Sequence, residues 1–313
     1  MCSLQFEGSG RDDRVQRFRN EHTIASSCEI HGRGYWSGEE VTVAVHPAPV
    51  SSGIRFIRTD LPGRPSCLAN ASTRQDASLR TNLVEGEAKF QMVEHLMAAL
   101  SALEIDNCNV EINGEELPGL DGSSLGFAHA LARAGLIIQA APRRRLVLDQ
   151  RYRVSSGDGW IEATPSKRQE TYFEYHLSFD DDTPIEPQAF SIELTPNGFL
   201  REVASARTFV TADQADQIRA AGLASHVTNQ DIVVIGSSGP VDNEFRFRNE
   251  CARHKTLDLI GDLALSGIDV AGRFTSFRGG HKLNGKMASL LADLSAKQSA
   301  RSLDAAQDIR KVA

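Results

Sequence analysis

No run of eighteen apolar residues occurs in the chain, so it carries no transmembrane helix. Its opening residues, MCSLQFEGSGRDDRVQRFRNEH, are charged and hold no apolar segment, so they do not read as a secretory signal. CxxC and CxxCH are both absent, which excludes cysteine-based zinc ribbons and c-type haem. There is no surplus of basic charge either. Against 34 Lys and Arg stand 41 Asp and Glu, and the net charge of −7 argues against non-specific binding to nucleic acid or an anionic membrane face. The five cysteines, Cys2, Cys28, Cys67, Cys108 and Cys251, form an odd and scattered set. They point to reduced thiols in a cytoplasm, not to a disulfide framework. Short-period repeats and low-complexity tracts are missing as well.

What remains is an ordinary globular composition, 41% hydrophobic and 24% charged. The length of 313 residues implies about two domains. Residues 41–49 alternate with period two and then meet prolines, as a strand ending in a turn does, and residues 52–60 follow as the expected partner strand. Residues 61–72 read as a loop. Good helix formers without internal Gly or Pro predict a helix over 90–103, and residues 107–114 a short strand. A second helix is predicted over 123–136, capped by Ser123 or Ser124. After APRRR (141–145) the pattern starts again, with strand-like runs up to AFSIELTP, a strong helix over 250–267, a strand over 270–280 and a last helix. Strands followed by paired helices, twice over, describe an α+β chain with two similarly built halves, 15–142 and 143–299, and a tail at 300–313 that reads as a frayed or disordered end.

Four places carry residues that could serve chemistry as well as packing. His254, Asp258 and Asp262 are spaced by four, which puts them on one side of a helix. Taken alone, that spacing more often marks a solvated helix with ion pairs, and Arg253 and Lys255 lie beside it. The surrounding Leu257, Leu259, Ile260, Leu263 and Leu265 make most of this helix apolar, which turns the polar residues toward a cleft. Glu94 and His95 interrupt a segment that is apolar almost all round, a pattern open to a hydrogen-bonded core histidine or to a metal ligand beside a general base. It is not the H-E-x-x-H zinc pattern, since Ala99 stands four residues after His95. His254 and Asp258 would complete a catalytic zinc site of three protein ligands and one open position. His281 sits in FRGGHKLNGK, where a positioned imidazole could protonate a leaving amine, with Asp262 favouring its charged form. Thr208, in SARTFV, offers a hydroxyl to an oxyanion, followed by apolar Phe209 and Val210. The loop EELPGLDGSSLGF (115–127) reads as architecture.

Together, VEHLMAALSALEIDN, ELPGLDGSS, SARTF, RFRNECARHKTLDLIGDLAL and GRFTSFRGGHKLN closely resemble the UDP-3-O-acyl-N-acetylglucosamine deacetylases of lipid A biosynthesis, in the family's order, over residues 17–298. The resemblance implies two similar α+β domains, each a sheet packed on helices, with the active site at their junction. It implies a cytoplasmic, zinc-dependent enzyme, acting as a monomer on a small UDP-linked acylated amino sugar. On its pattern, one zinc ion falls to His95, His254 and Asp258, the general base is Glu94, and the general acid is His281 oriented by Asp262. Thr208 would polarise the acetyl carbonyl and Lys255 would contact substrate or intermediate. Phe209, Val210, Ile218 and Leu223 would line an apolar passage for the acyl chain, and Arg278 would meet the diphosphate. A zinc amidase for another N-acetyl sugar, or a non-catalytic homologue, would share this scaffold. The chain departs from the family's usual pattern at Tyr35-Trp36 in a Gly-rich turn, at Lys282, and at Arg248-Asn249. These changes bear on substrate affinity and acyl-length preference.

Overall fold

The computed structural model describes residues 19–179 and 183–312, with side chains up to residue 298. Cys2, the start of the first half at 15–18, and Asp180 to Asp182 lie outside the described residues. The first half opens with β1 (Asn20–Ile24), β2 (Cys28–Arg33), β3 (Glu40–Pro47), β4 (Ile54–Arg58) and β5 (Ser66–Leu68). A small meander follows, β6 (Arg74–Asp76), β7 (Thr81–Glu85) and β8 (Ala88–Gln91), and leads into helix α1 (Glu94–Ala102). Strand β9 (Cys108–Ile112), helix α2 (Leu125–Ala134) and β10 (Leu136–Pro142) complete it, β10 pairing back to β1.

The second half runs through β11 (Arg145–Val147), β12 (Tyr152–Ser156), β13 (Gly159–Thr164), β14 (Thr171–Leu177), β15 (Gln188–Glu193) and α3 (Pro196–Glu202). Next comes an inserted unit of β16 (Phe209–Thr211), α4 (Ala212–Ala220), β17 (Val233–Gly236) and β18 (Gly239–Pro240), whose three strands make their own sheet. Helix α5 (Glu250–Ala264), strand β19 (Asp269–Phe277) and helix α6 (His281–Val312) close the chain, α6 running without a break across residue 300.

The two halves repeat one topology. The main sheets are ordered β2-β3-β9-β4-β5 and β12-β13-β19-β14-β15. In each, the strand that follows the helix enters the middle, antiparallel to one neighbour (β3 or β13) and parallel to the other (β4 or β14). The fold is therefore α+β and duplicated. No helix among the described residues is long and apolar enough to cross a membrane. Cys28, Cys67, Cys108 and Cys251 are free thiols, and burial pushes Cys67 and Cys251 up to about 12.

Three local expectations need correction. Residues 54–58 pair with β9 and β5, not with β3, because β9 takes the place between them. The expected loop at 61–72 contains β5, which closes the sheet edge. The first helix begins at Glu94, not residue 90: Phe90 and Gln91 are held in the β7–β8 ladder, and Met92 takes a left-handed φ of 59°. Ser124 is the N-cap residue of α2, but its hydroxyl donates to the His95 carbonyl at 2.7 Å instead of capping the helix, and the Ser123 hydroxyl takes that part, accepting from the Leu125 N–H at 3.2 Å.

Helices α1 and α5 pack against each other where the halves meet. Leu96 to Leu100 of α1 and Leu257, Leu259 and Ile260 of α5 are buried, each large side chain contributing about 1.5–3 kcal/mol by leaving water. The helices touch at Gly261, where an added Cβ would lie 2.1 Å from the Glu94 carbonyl oxygen. Only glycine allows this approach.

Candidate metal centre and active site

Turning α5 by four residues at a time brings His254, Asp258 and Asp262 onto its buried junction face. One donor atom from each of His95, His254 and Asp258 lies within 4.8 Å of the others. Asp258 Oδ1 is 3.4 Å from His254 Nε2 and 3.7 Å from His95 Nε2. The His254 Nδ1–H donates to the Ala206 carbonyl at 3.1 Å, which leaves the Nε2 lone pair facing this cluster. Burial pushes the His254 imidazole down to about 3, so it stays neutral, as a metal ligand must be. Burial opposes ionisation of Asp258, but the cationic Lys255 and His281 outweigh it and hold its carboxyl well below the usual carboxylate range. Asp258 Oδ2 takes a 2.8 Å hydrogen bond from Lys255 Nζ, whereas the buried Oδ1 has no hydrogen-bond partner. A buried, ionised oxygen with no donor, aimed between two imidazoles, is what a metal ion would satisfy. The three residues fit a metal.

Around this cluster stand the proton-handling groups. Glu94 is buried in the first turn of α1, and its Oε2 accepts from the Thr81 N–H at 3.0 Å. Burial raises its pKa, partly offset by His281 and His95. His281, at the start of α6, gives its Nδ1–H to Asp262 Oδ2 at 2.8 Å. Asn284 donates to the same oxygen at 2.8 Å, and the Thr81 hydroxyl to Asp262 Oδ1 at 2.5 Å. Burial alone would lower the imidazole, but Asp262 and then Asp258 outweigh it and raise it to about 9. Its Nε2 lies 3.8 Å from Asp258 Oδ2. The loop before it is fixed by the Tyr175 hydroxyl, which donates to the Gly279 carbonyl.

A cavity of about 410 Å³ opens from these groups. Glu94, His95, His254, Lys255, Asp258 and His281 line it, together with Thr208, Phe209, Val210 and Ile218. Asp262 stands behind His281. Two expected residues are elsewhere: Leu223 is exposed beyond the end of α4, and Arg278 donates to Ser178 Oγ and the Phe179 carbonyl outside the cavity lining. Sequence reasoning missed Thr81 and Asn284, which are ordinary polar residues until the fold brings them to Asp262. It gave Tyr35 and Trp36 no place in the lining.

It also missed Arg207 and Glu250. This ion pair is buried, with Arg207 Nε 2.8 Å from Glu250 Oε1, and Glu250 further accepts from the backbone N–H groups of Arg207 and Arg246. It joins the segment carrying Thr208 to the first turn of α5. Glu250→Ala would leave a buried guanidinium without its counter-charge, held only by Asn243 Oδ1 and the Glu244 carbonyl, so unfolding by denaturant should show a loss of about 3–5 kcal/mol. A loss under about 1 kcal/mol would mean that these two acceptors and water suffice for it.

A duplicated α+β scaffold with two imidazoles and a carboxylate converging at its junction, beside a buried carboxyl and an acid-paired imidazole, has the groups that a metal-dependent hydrolase requires. Residues 21–293 match the family model described as LpxC: UDP-3-O-acyl N-acetylglycosamine deacetylase, and the chain belongs to this family. It is similar to the UDP-3-O-acyl-N-acetylglucosamine deacetylase of Anaeromyxobacter sp., 38% identical over 281 residues, 88% of this chain and 89% of that protein. The deacetylase of the same name from Brucella ovis is 38% identical over 276 residues, 87% of this chain and 96% of that protein.

Proposed function

We propose that this chain hydrolyses the N-acetyl group of UDP-3-O-acyl-N-acetylglucosamine, releasing acetate in lipid A biosynthesis, as a cytoplasmic monomer. The observation that carries this reading is the convergence of His95, His254 and Asp258 at the head of a largely apolar cavity shared with Glu94 and His281. Residues 15–142 and 143–299 act as its two domains. The donor set of two imidazoles and one carboxylate suits zinc. Zinc bound there supplies a Lewis acid for the amide carbonyl and a more acidic water.

Everything else falls to the protein. Glu94, ionised at the start, takes the proton of the attacking water. The Thr208 hydroxyl donates to the acetyl carbonyl oxygen as negative charge develops on it. Protonated His281, oriented through Nδ1 by Asp262, delivers the Nε2 proton to the departing glucosamine nitrogen. Lys255, held by Asp258, orients the substrate. Phe209, Val210 and Ile218 accept the acyl chain. Leu223 and Arg278 serve the outer parts of the substrate, the end of the acyl chain and the diphosphate.

Acetate release from the UDP-acyl-sugar, abolished by a chelator and restored by zinc, is the expected result. The absence of release from zinc-loaded protein would overturn the reading in favour of a binding homologue, and equal turnover of N-acetyl sugars lacking the acyl chain would favour a broader amidase. Zinc content checks the ligands separately: His95→Ala and Asp258→Ala should each fall from about one ion per chain to a small fraction. Full retention in both would end the assignment.

A further inference from the structure

The apolar side of the cavity that faces the inserted unit is made by Ile218 of α4 and by Ala224, Val227 and Ile232 from the segment that follows it. That segment folds on itself, since both the backbone N–H and the hydroxyl of Thr228 donate to Asp231 Oδ2 at 2.8 Å and the Asp231 N–H donates to the Thr228 carbonyl. It belongs to the second half of the chain, yet it is tied to a turn of the first. The Tyr35 hydroxyl donates to the Asp231 carbonyl at 2.6 Å. The His226 Nε2–H donates to the Gly34 carbonyl at 2.8 Å, a carbonyl being able only to accept. The turn itself is rigid: Glu116 accepts from the N–H groups of Trp36 and Ser37, each at 2.9 Å. The Tyr35 ring is threaded through ELPGLDGSS, where a Cβ on Gly119 would meet it at 2.3 Å and one on Gly122 would lie 2.9 Å from its hydroxyl.

We infer that Tyr35 and His226 are positioning residues that pin the 224–232 segment to the first half and so set the width of the apolar passage, making them determinants of acyl-chain selectivity. Ile232, whose side chain lines the cavity, directly follows the carbonyl that Tyr35 holds, and Val227 directly follows His226. Burial pushes the Tyr35 phenol well above its usual range, so it remains a donor at any working pH. Phenylalanine at 35 keeps the ring between the two glycines and removes only the pin.

This inference rests on the deacetylase reading. The test compares kcat and KM for UDP-N-acetylglucosamine carrying a long 3-O-acyl chain with those for the same sugar carrying a 3-O-acetyl group. In Tyr35→Phe and His226→Ala, the ratio of kcat/KM for the long chain over the short should fall about fivefold, mostly through KM, as for the loss of one neutral hydrogen bond. His226→Gln, whose amide N–H can still reach Gly34, should restore the ratio. Zinc content and melting temperature establish that each variant is folded, and if Tyr35→Phe fails there, the His226 pair decides alone. An unchanged ratio, or an equal loss on both substrates, overturns the inference while leaving the deacetylase reading intact. A wild-type protein that releases no acetate overturns both.

Discussion

Glu94→Gln should lower kcat by about a hundred- to ten-thousandfold while leaving zinc in place, the loss usual for a general base. Glutamine keeps the size of the side chain and still offers an oxygen to the Thr81 N–H, so the first turn of α1 is not disturbed. It cannot take a proton from water. The pH profile gives a second reading of the same role. As the proposed base, Glu94 must be ionised, and burial raises its pKa, so activity should fall as pH drops through a value above the ordinary carboxylate range. As the proposed acid, His281 must be protonated and is raised to about 9, so the alkaline limb should fall as pH rises through that region. Glu94→Gln should flatten the acidic limb alone. Asp262→Asn, which removes the charge that supports the imidazolium, should move the alkaline limb to lower pH. A wild-type rate and profile in Glu94→Gln would refute its role as base.

Gly261→Ala should be as damaging without touching a single reacting group. A methyl there would sit 2.1 Å from the Glu94 carbonyl oxygen, 2.9 Å from its carbon and 3.2 Å from the Ala98 nitrogen. All three neighbours are backbone of α1, so no rotamer change relieves the clash and the helices must separate. Alanine gains about 1 kcal/mol of helix propensity over glycine. Overpacking at a rigid contact costs about 1–3 kcal/mol or more, so the net effect should be destabilising. Function should suffer further, because His95 rides on α1 while His254 and Asp258 ride on α5, and parting the helices parts the donors. Denaturant unfolding should show a lower midpoint, and the purified protein should carry much less than one zinc per chain. A wild-type midpoint with full zinc would show that the junction is softer than its backbone contact implies.

The residues of the proposed site were legible because they violate their surroundings. Glu94 and His95 interrupt an apolar helix, and His254, Asp258 and Asp262 recur at the helical period among leucines, so polarity on a buried surface marked them before any fold was known. The duplication was legible for a similar reason, as two rounds of strand runs and helices. What local pattern could not reveal was pairing at a distance. Strand β9 alternates like its neighbours, and nothing in its residues says that it enters between β3 and β4. The start of α1 depended on Met92 adopting a left-handed backbone, and Thr81, Asn284, Arg207 and Glu250 acquired roles only through partners far away in the chain. Gly261 looked like a weak point in a helix, and its meaning lay in the helix opposite.

The central position of β9 and β19 also orders events during synthesis. Each main sheet stays split until the strand after its helix has emerged, so each half closes late and from the middle. The first half can be finished while His95 still stands as a lone donor, since His254 and Asp258 follow more than a hundred residues later. A single imidazole holds a metal ion weakly. On the proposed assignment, ion capture therefore waits until α5 has emerged and brought His254 and Asp258 to His95.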